Sequence, residues 1–389
     1  MKNYGLAIVI VLFFVLDVVN FIVDEKTGLS YQNSVSVYGR GLFELVVFYF
    51  LIKNYPLYKN SLLLIVFFLI LPLIWLALFV FQKEIDLSFV LIIIKESHKF
   101  IFPILLFLFL REGYLKLKHF EVVYKFVFLI SSTIVVLAFL FDISFFYTYN
   151  ASRFGFKPPL ATQNEISFFW IIGIVFLGAR LFQKVDVSTF LVFVLVLFSA
   201  SILGTKAILL FQFNTIVFFL VFFVKASLLK KVVAGLVLII SLFFVLYFSN
   251  FWGFFANLTR DEGFLFALTS KRNLLVIERL IPLIDSWSWY NFLIGGAYNG
   301  FPITEMDILD LFLVSGLVGC LIYFYLLFST LFKFSKGHKL GYFFASQYIL
   351  VGALAGHFYS SGINAILFAG LCVYLQQARI SNKLKSLNL

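Results

Sequence analysis

SNFWGFFANLTRDEGFLFALTSKRNLLVIERLIPLIDSWSWYNFLIGGAYNGFPITEM, residues 249–306, is the long stretch of this chain in which charge is common. It carries Arg260, Lys271, Arg272 and Arg279, with Asp261, Glu262, Glu278, Asp285 and Glu305. Apolar runs lie on both sides of it. The sequence therefore reads as one large group of membrane spans, a long polar interruption, and a smaller group of spans.

The composition supports that division. The 389 residues are 62% hydrophobic and 13% charged, and the mean hydropathy is +1.05. A soluble chain of this length has no interior large enough for that much apolar surface, so an all-α polytopic membrane protein is expected. The net charge of +11 does not point to nucleic acid, because the cations sit in short clusters between apolar runs. Cys320 and Cys372 both fall in apolar spans and read as packing residues. The 56 phenylalanines read as lipid-facing bulk or a coding bias. The first run reads as an uncleaved anchor, since no small-residue cleavage site follows it.

A span needs about 20 apolar residues. Twelve runs qualify: 5–23, 36–52, 61–81, 88–110, 123–145, 166–182, 188–204, 207–224, 232–248, 307–330, 340–356 and 359–376. An even number puts both termini on one side. Loops on that side hold Lys53, Lys59, Arg111, Lys116, Lys118, Arg180, Lys184, Lys225, Lys230, Lys231, Lys333, Lys336 and Lys339. The positive-inside rule makes this side cytoplasmic and places 249–306 outside, within a single membrane domain of residues 1–389. Span 88–110 holds Lys95, Glu96, His98 and Lys99, followed by Pro103. Either the helix breaks there or these groups face a polar interior. Asp17, Glu44, Glu96 and His98 read either as a polar relay or as partners of nearby cations.

Three external motifs are candidates for chemistry. Arg153, Gly155, Lys157 and Pro158, then Gln163-Asn164-Glu165, form either an anion cradle at a helix N-terminus or an ordinary connecting loop. Gly204-Thr205-Lys206 is a tight turn with one cation, which elsewhere is usually a snorkelling anchor. In 249–306, Thr269 and Ser270 precede a short amphipathic helix with Leu274, Ile277, Leu280, Ile281 and Ile284 on one apolar stripe. Arg272 and Arg279 would then share its polar face, about 10 Å apart. They suit a diphosphate; otherwise the helix merely anchors the loop. Glu305, Asp307 and Asp310 stand at the mouth of the next span, and one of them is a candidate general base. The sequence has no Walker loop, dinucleotide fingerprint, zinc-spaced histidine pair or serine-nucleophile elbow.

Taken together, these motifs resemble the O-antigen polymerase/ligase superfamily of bacterial envelopes. The likeness rests on the layout of spans and long loop, Arg153…Gly155…Asn164, Gly204-Thr205-Lys206-Ala207, Ser270-Lys271-Arg272 with the Leu-Ile-Gly-Gly turn at 293–296, and Glu305 to Gly319. The ligases carry a histidine, then Asn, Ser or Gln, nine residues before a Gly-x-x-Gly. Counting back from Gly316 and Gly319 reaches Glu305. The chain is therefore more similar to the polymerase branch.

The resemblance implies a GT-C-like membrane fold in the bacterial inner membrane. It also implies transfer of a growing glycan from undecaprenyl diphosphate to a repeat unit on a second such lipid. Arg153, Lys157, Lys206, Arg272 and Arg279 would bind diphosphate. Glu305 or Asp307 would act as base, and Asp310 and His357 would line the cavity. The scheme calls for no cofactor, metal or nucleic acid. Its partners are undecaprenyl-diphosphate-linked oligosaccharide, membrane lipids and a chain-length regulator. A ligase-type transferase and a glycan or lipid transporter are the alternatives.

Overall fold

A computed structural model of the chain describes residues 5–27, 35–80, 87–111, 119–149, 154–160, 163–183, 186–222, 251–269, 272–296, 304–356, 358 and 362–387. Among them the secondary structure is helical, with no strand and a single isolated bridge between Tyr147 and Phe156. Among the described residues five helices are long and apolar enough to cross a membrane, and three shorter helices are apolar. The protein is a helical membrane protein. The run 232–248 lies outside the described residues.

The first group of helices is α1 (Gly5–Thr27), α2 (Val35–Lys53), α3 (Tyr55–Val80), α4 (Leu87–Arg111), α5 (Phe120–Leu140), α6 (Gln163–Gln183), α7 (Val187–Ile202) and α8 (Lys206–Phe222). The polar stretch forms short pieces: α9 (Phe251–Glu262), α10 (Phe264–Thr269), α11 (Arg272–Leu275), a π turn (Val276–Leu280), α12 (Ile281–Asp285) and α13 (Trp289–Ile294). Then come α14 (Asp307–Ser329), α15 (Lys339–Leu354) and α16 (Gly362–Leu387).

Several boundaries follow from local chemistry. Pro56 is the second residue of α3, where its fixed φ suits a helix start and its missing N–H leaves no bond unmade. Asp186 caps α7, accepting the Thr189 N–H at 2.8 Å. Helix α4 runs unbroken through Lys95–Lys99 and Pro103. Two of its polar groups are paired: Lys99 Nζ lies 2.6 Å from Glu96, and His98 Nδ1 lies 3.0 Å from Glu44 on α2.

The core runs through α6, α4 and α16. In the apolar window of α6, 83% of residues are buried, against 39% in those of α1, α3 and α5, so α6 is the central helix. Residues 100–110 of α4 are buried on every side, and α4 and α6 both pack on α16. Many phenylalanines are buried here, while others, such as Phe126, Phe141 and Phe190, face outward. Phe168 stacks on Phe358 with centroids 4.9 Å apart, and Tyr348 stacks on Phe368 at 4.5 Å. Lipid is as apolar as a side chain, so close packing, more than dehydration, must hold such a bundle, and stacked rings pack densely. Outward positions are apolar too, among them Leu42, Leu63, Phe126, Val187 and Leu321.

Candidate functional site

The pieces of the polar stretch do not float above the bundle. Leu280, Leu283 and Trp287 are buried against Trp75 and Leu76 of α3, Ile93 of α4, and Leu313 and Val314 of α14. The apolar stripe expected from regular helical spacing is therefore redistributed. Leu280 and Ile284 face the bundle with Leu283, while Ile277 and Ile281 are 57% and 47% exposed. The cause is the π turn at Val276–Leu280, which turns through a smaller angle per residue and so shifts the register. Pro282 follows it; its ring crowds the carbonyl four residues back, at Glu278, and cannot bond to it.

The same turn separates the two arginines. Arg279 is exposed. Arg272 is turned inward: Nη1 donates to the Leu354 carbonyl at 3.1 Å, and Nε lies 3.8 Å from a Glu305 carboxylate oxygen. Its side chain is 12% exposed and that of Glu305 is 47% exposed. Burial draws the Arg272 guanidinium below its ordinary pKa, and Glu305, Asp307, Tyr149 and Asp310 pull it back up. An arginine starts so high that it stays cationic under these opposing influences.

The three acids at the start of α14 have distinct settings. Asp307 and Asp310 are both buried. Asp307 accepts the Phe358 backbone N–H at 2.7 Å. Asp310 accepts both the backbone N–H and the hydroxyl of Thr304, at 3.0 and 2.9 Å. Glu305 is the acid whose carboxylate is open to solvent. Its backbone has φ of 54°, a strained conformation for a non-glycine residue. A side chain on Gly356 would come within 2.4 Å of the Glu305 carbonyl, so the link between α15 and α16 presses directly on this residue.

That link also ties the mouth to α6. Phe358, held by Asp307, stacks on Phe168. One residue earlier, the Ser167 hydroxyl lies 2.7 Å from that of Thr205, and Asn364 donates to the Glu165 carbonyl at 2.6 Å. Phe156 N–H meanwhile bonds to the Ile202 carbonyl. The fold thus gathers residues 154–160, the Gly204-Thr205 turn and the mouth of α14 around the start of α6.

The expected cations have different neighbours. Lys157 lies over the Phe21 ring at 5.0 Å. Lys206 bonds to the Ala267 carbonyl and lies 5.4 Å from the Phe255 ring, joining α8 to α9 and α10. Arg153, His357, Ser270 and Lys271 lie outside the described residues.

A second device holds the stretch in place. Helix α14 kinks at Gly316, whose φ is 63°. The carbonyls of Leu313 and Val314 take bonds from outside the helix, the first from Gly296 N–H at 2.9 Å and the second from the Trp75 indole at 2.9 Å. Gly295, with φ of 94°, fits against the Val314 carbonyl, where a Cβ would lie only 2.5 Å away. Gly295, Gly296 and Gly316 therefore serve one backbone-to-backbone junction, while Gly319 lies against the Ser315 and Leu71 side chains.

Thr304, the Leu354 carbonyl, Gly356 and Phe358 were not singled out by sequence reasoning. Thr304 had a signal, standing directly before Glu305. The other three lie some fifty residues further along the chain, with nothing local to link them to it. No family model, characterised protein or solved structure matches the chain.

Proposed function

We propose that this protein is a glycan polymerase of the bacterial inner membrane. In this reading it has twelve spans, both termini are cytoplasmic, and the mouth of α14 faces outward. The substrate is a repeat-unit oligosaccharide on undecaprenyl diphosphate. The growing chain leaves its own undecaprenyl diphosphate and joins the acceptor sugar of a second unit.

The observation that carries the proposal is Arg272, drawn inward on a docked segment to within 3.8 Å of the solvent-open Glu305. The reaction asks for a cation at a departing diphosphate and a base at the attacking hydroxyl. In the resting site the two charges offset each other. A diphosphate competes with Glu305 for the guanidinium, so donor binding releases the carboxylate to accept the hydroxyl proton. Asp307 and Asp310, bound to backbone N–H groups, hold the shape of the mouth.

A transporter of glycan or lipid is the second reading. The polar pairs Glu44–His98 and Glu96–Lys99 within the helices favour it. The docked polar stretch favours the transferase. Purified protein incubated with undecaprenyl-diphosphate-linked repeat units decides between them. The polymerase gives a ladder of longer lipid-linked glycans and free undecaprenyl diphosphate. If the units are moved across vesicles without lengthening, the proposal fails.

A further inference from the structure

Between α2 and α4 lies a cleft of about 580 Å³. Arg40, Glu44, Lys95, His98 and Lys99 line it. At 1.5 Å per residue, Arg40 sits about 8 Å along α2 from its first residue, and Lys95 to Lys99 lie about 12–18 Å along α4. Charges at that depth are costly in a membrane and usually face a cavity or a ligand.

Part of the charge is matched internally. Lys99 pairs with Glu96, His98 meets Glu44, and the Arg40 guanidinium lies 5.9 Å from the centre of the Phe102 ring. Within this cluster Arg40, Lys95 and Lys99 stand against Glu44 and Glu96.

The rest of the lining is apolar. Tyr38, Leu42 and Leu45 are 64%, 68% and 67% exposed, so the cleft opens sideways through the outward apolar face of the bundle. A small hydrophilic anion would find few polar surfaces here. An amphiphile finds cations at the base and a greasy wall toward the opening.

We infer that the α2/α4 cleft binds the phosphate of an anionic lipid, with its head group at Lys95, Lys99 and Arg40 and its chain along Leu42, Leu45 and Phe48. Basic recesses between membrane helices take up phosphate head groups in this manner, and the volume lies within the usual range for a ligand site. Glycerophospholipids and polyprenyl phosphates share this chemistry. The inference does not rest on the transfer reaction proposed above.

Native mass spectrometry of the delipidated full-length protein tests it. The probes are dioleoylphosphatidylglycerol, undecaprenyl phosphate and the phosphate-free dioleoylglycerol, added separately. At least one phosphate lipid is retained, and dioleoylglycerol is not. Lys95→Gln lowers retention about tenfold, as expected for one lost bond to a charged group. Leu45→Trp, which fills the outer wall and alters no charge, lowers it as well and guards against a folding defect in the first variant. Retention of undecaprenyl phosphate alone identifies a carrier lipid; equal retention of phosphatidylglycerol identifies a general phospholipid site. Wild-type retention in both variants, or equal retention of dioleoylglycerol, overturns the inference.

Discussion

The mouth of α14 and the cleft between α2 and α4 both collect charge, but they hold it by different means. At the mouth, Asp307 and Asp310 are bound to backbone N–H groups of Phe358 and Thr304. In the cleft, Glu44 and Glu96 are bound to the side chains of His98 and Lys99. Backbone donors are fixed by the fold, whereas side-chain partners can exchange for a ligand. The mouth is thus a rigid frame with one exchangeable pair, Arg272 and Glu305. In the cleft the whole charged lining can rearrange.

The largest test of that contrast is Gly316→Val. A Cβ there would lie 2.3 Å from the Leu293 backbone. The junction cannot form, and the melting temperature in detergent, followed by circular dichroism, falls by about 10 °C or more. A smaller fall would mean the frame is not rigid.

Arg272→Ala addresses the exchangeable pair. Glycan lengthening falls about a hundredfold or more, while the melting temperature changes little. Unchanged lengthening removes Arg272 from the reaction.

Asp310→Ala leaves the buried Thr304 N–H and hydroxyl without their acceptor. The expected loss is about 2 kcal/mol of stability, read from thermal or denaturant unfolding. The corresponding cleft measurement is a double-mutant cycle on Glu44→Gln and His98→Gln. Its coupling is about 0.6 kcal/mol, the usual scale for polar pairs between membrane helices. Equal values at the two places would erase the distinction.

The smallest effect lies outside both regions, at Asp186. Bonds from Thr189 hold its carboxyl below the usual range. Its contribution is complete above the ordinary aspartate pKa of about 3.9 and is lost as the pH falls through the lowered value. Asp186→Asn therefore removes the slope in that acid window and slightly lowers the plateau above it, with no change at the acid end, as read from unfolding across the pH range.

The bundle was legible because apolar runs such as 61–81 and 307–330 carry their length on their face. Glu305, Asp307 and Arg272 were legible as candidates, since charge stands out in this composition. The grouping of the cations was not legible. It assumed an even helical spacing between Arg272 and Arg279, and a π turn leaves no sequence mark of its own. The paired charges of α4 were visible only as alternatives, because Glu44 is far away in the chain from His98. The partners of Asp307 and Arg272 were hidden for a plainer reason. They are backbone groups of Phe358 and Leu354, and every residue has the same backbone.

The kink of α14 bears on how the protein is made. In a bilayer an unbonded carbonyl costs several kcal/mol, and the bonds at Leu313 and Val314 come from Gly296 and Trp75. Both donors are synthesised before α14. A segment arriving from the ribosome must either insert straight and bend on meeting them, or insert with its partners already waiting. Either way, Trp75 and Gly296 act as an internal check on assembly, and α14 reaches its final shape only when α3 and the 293–296 turn are in place.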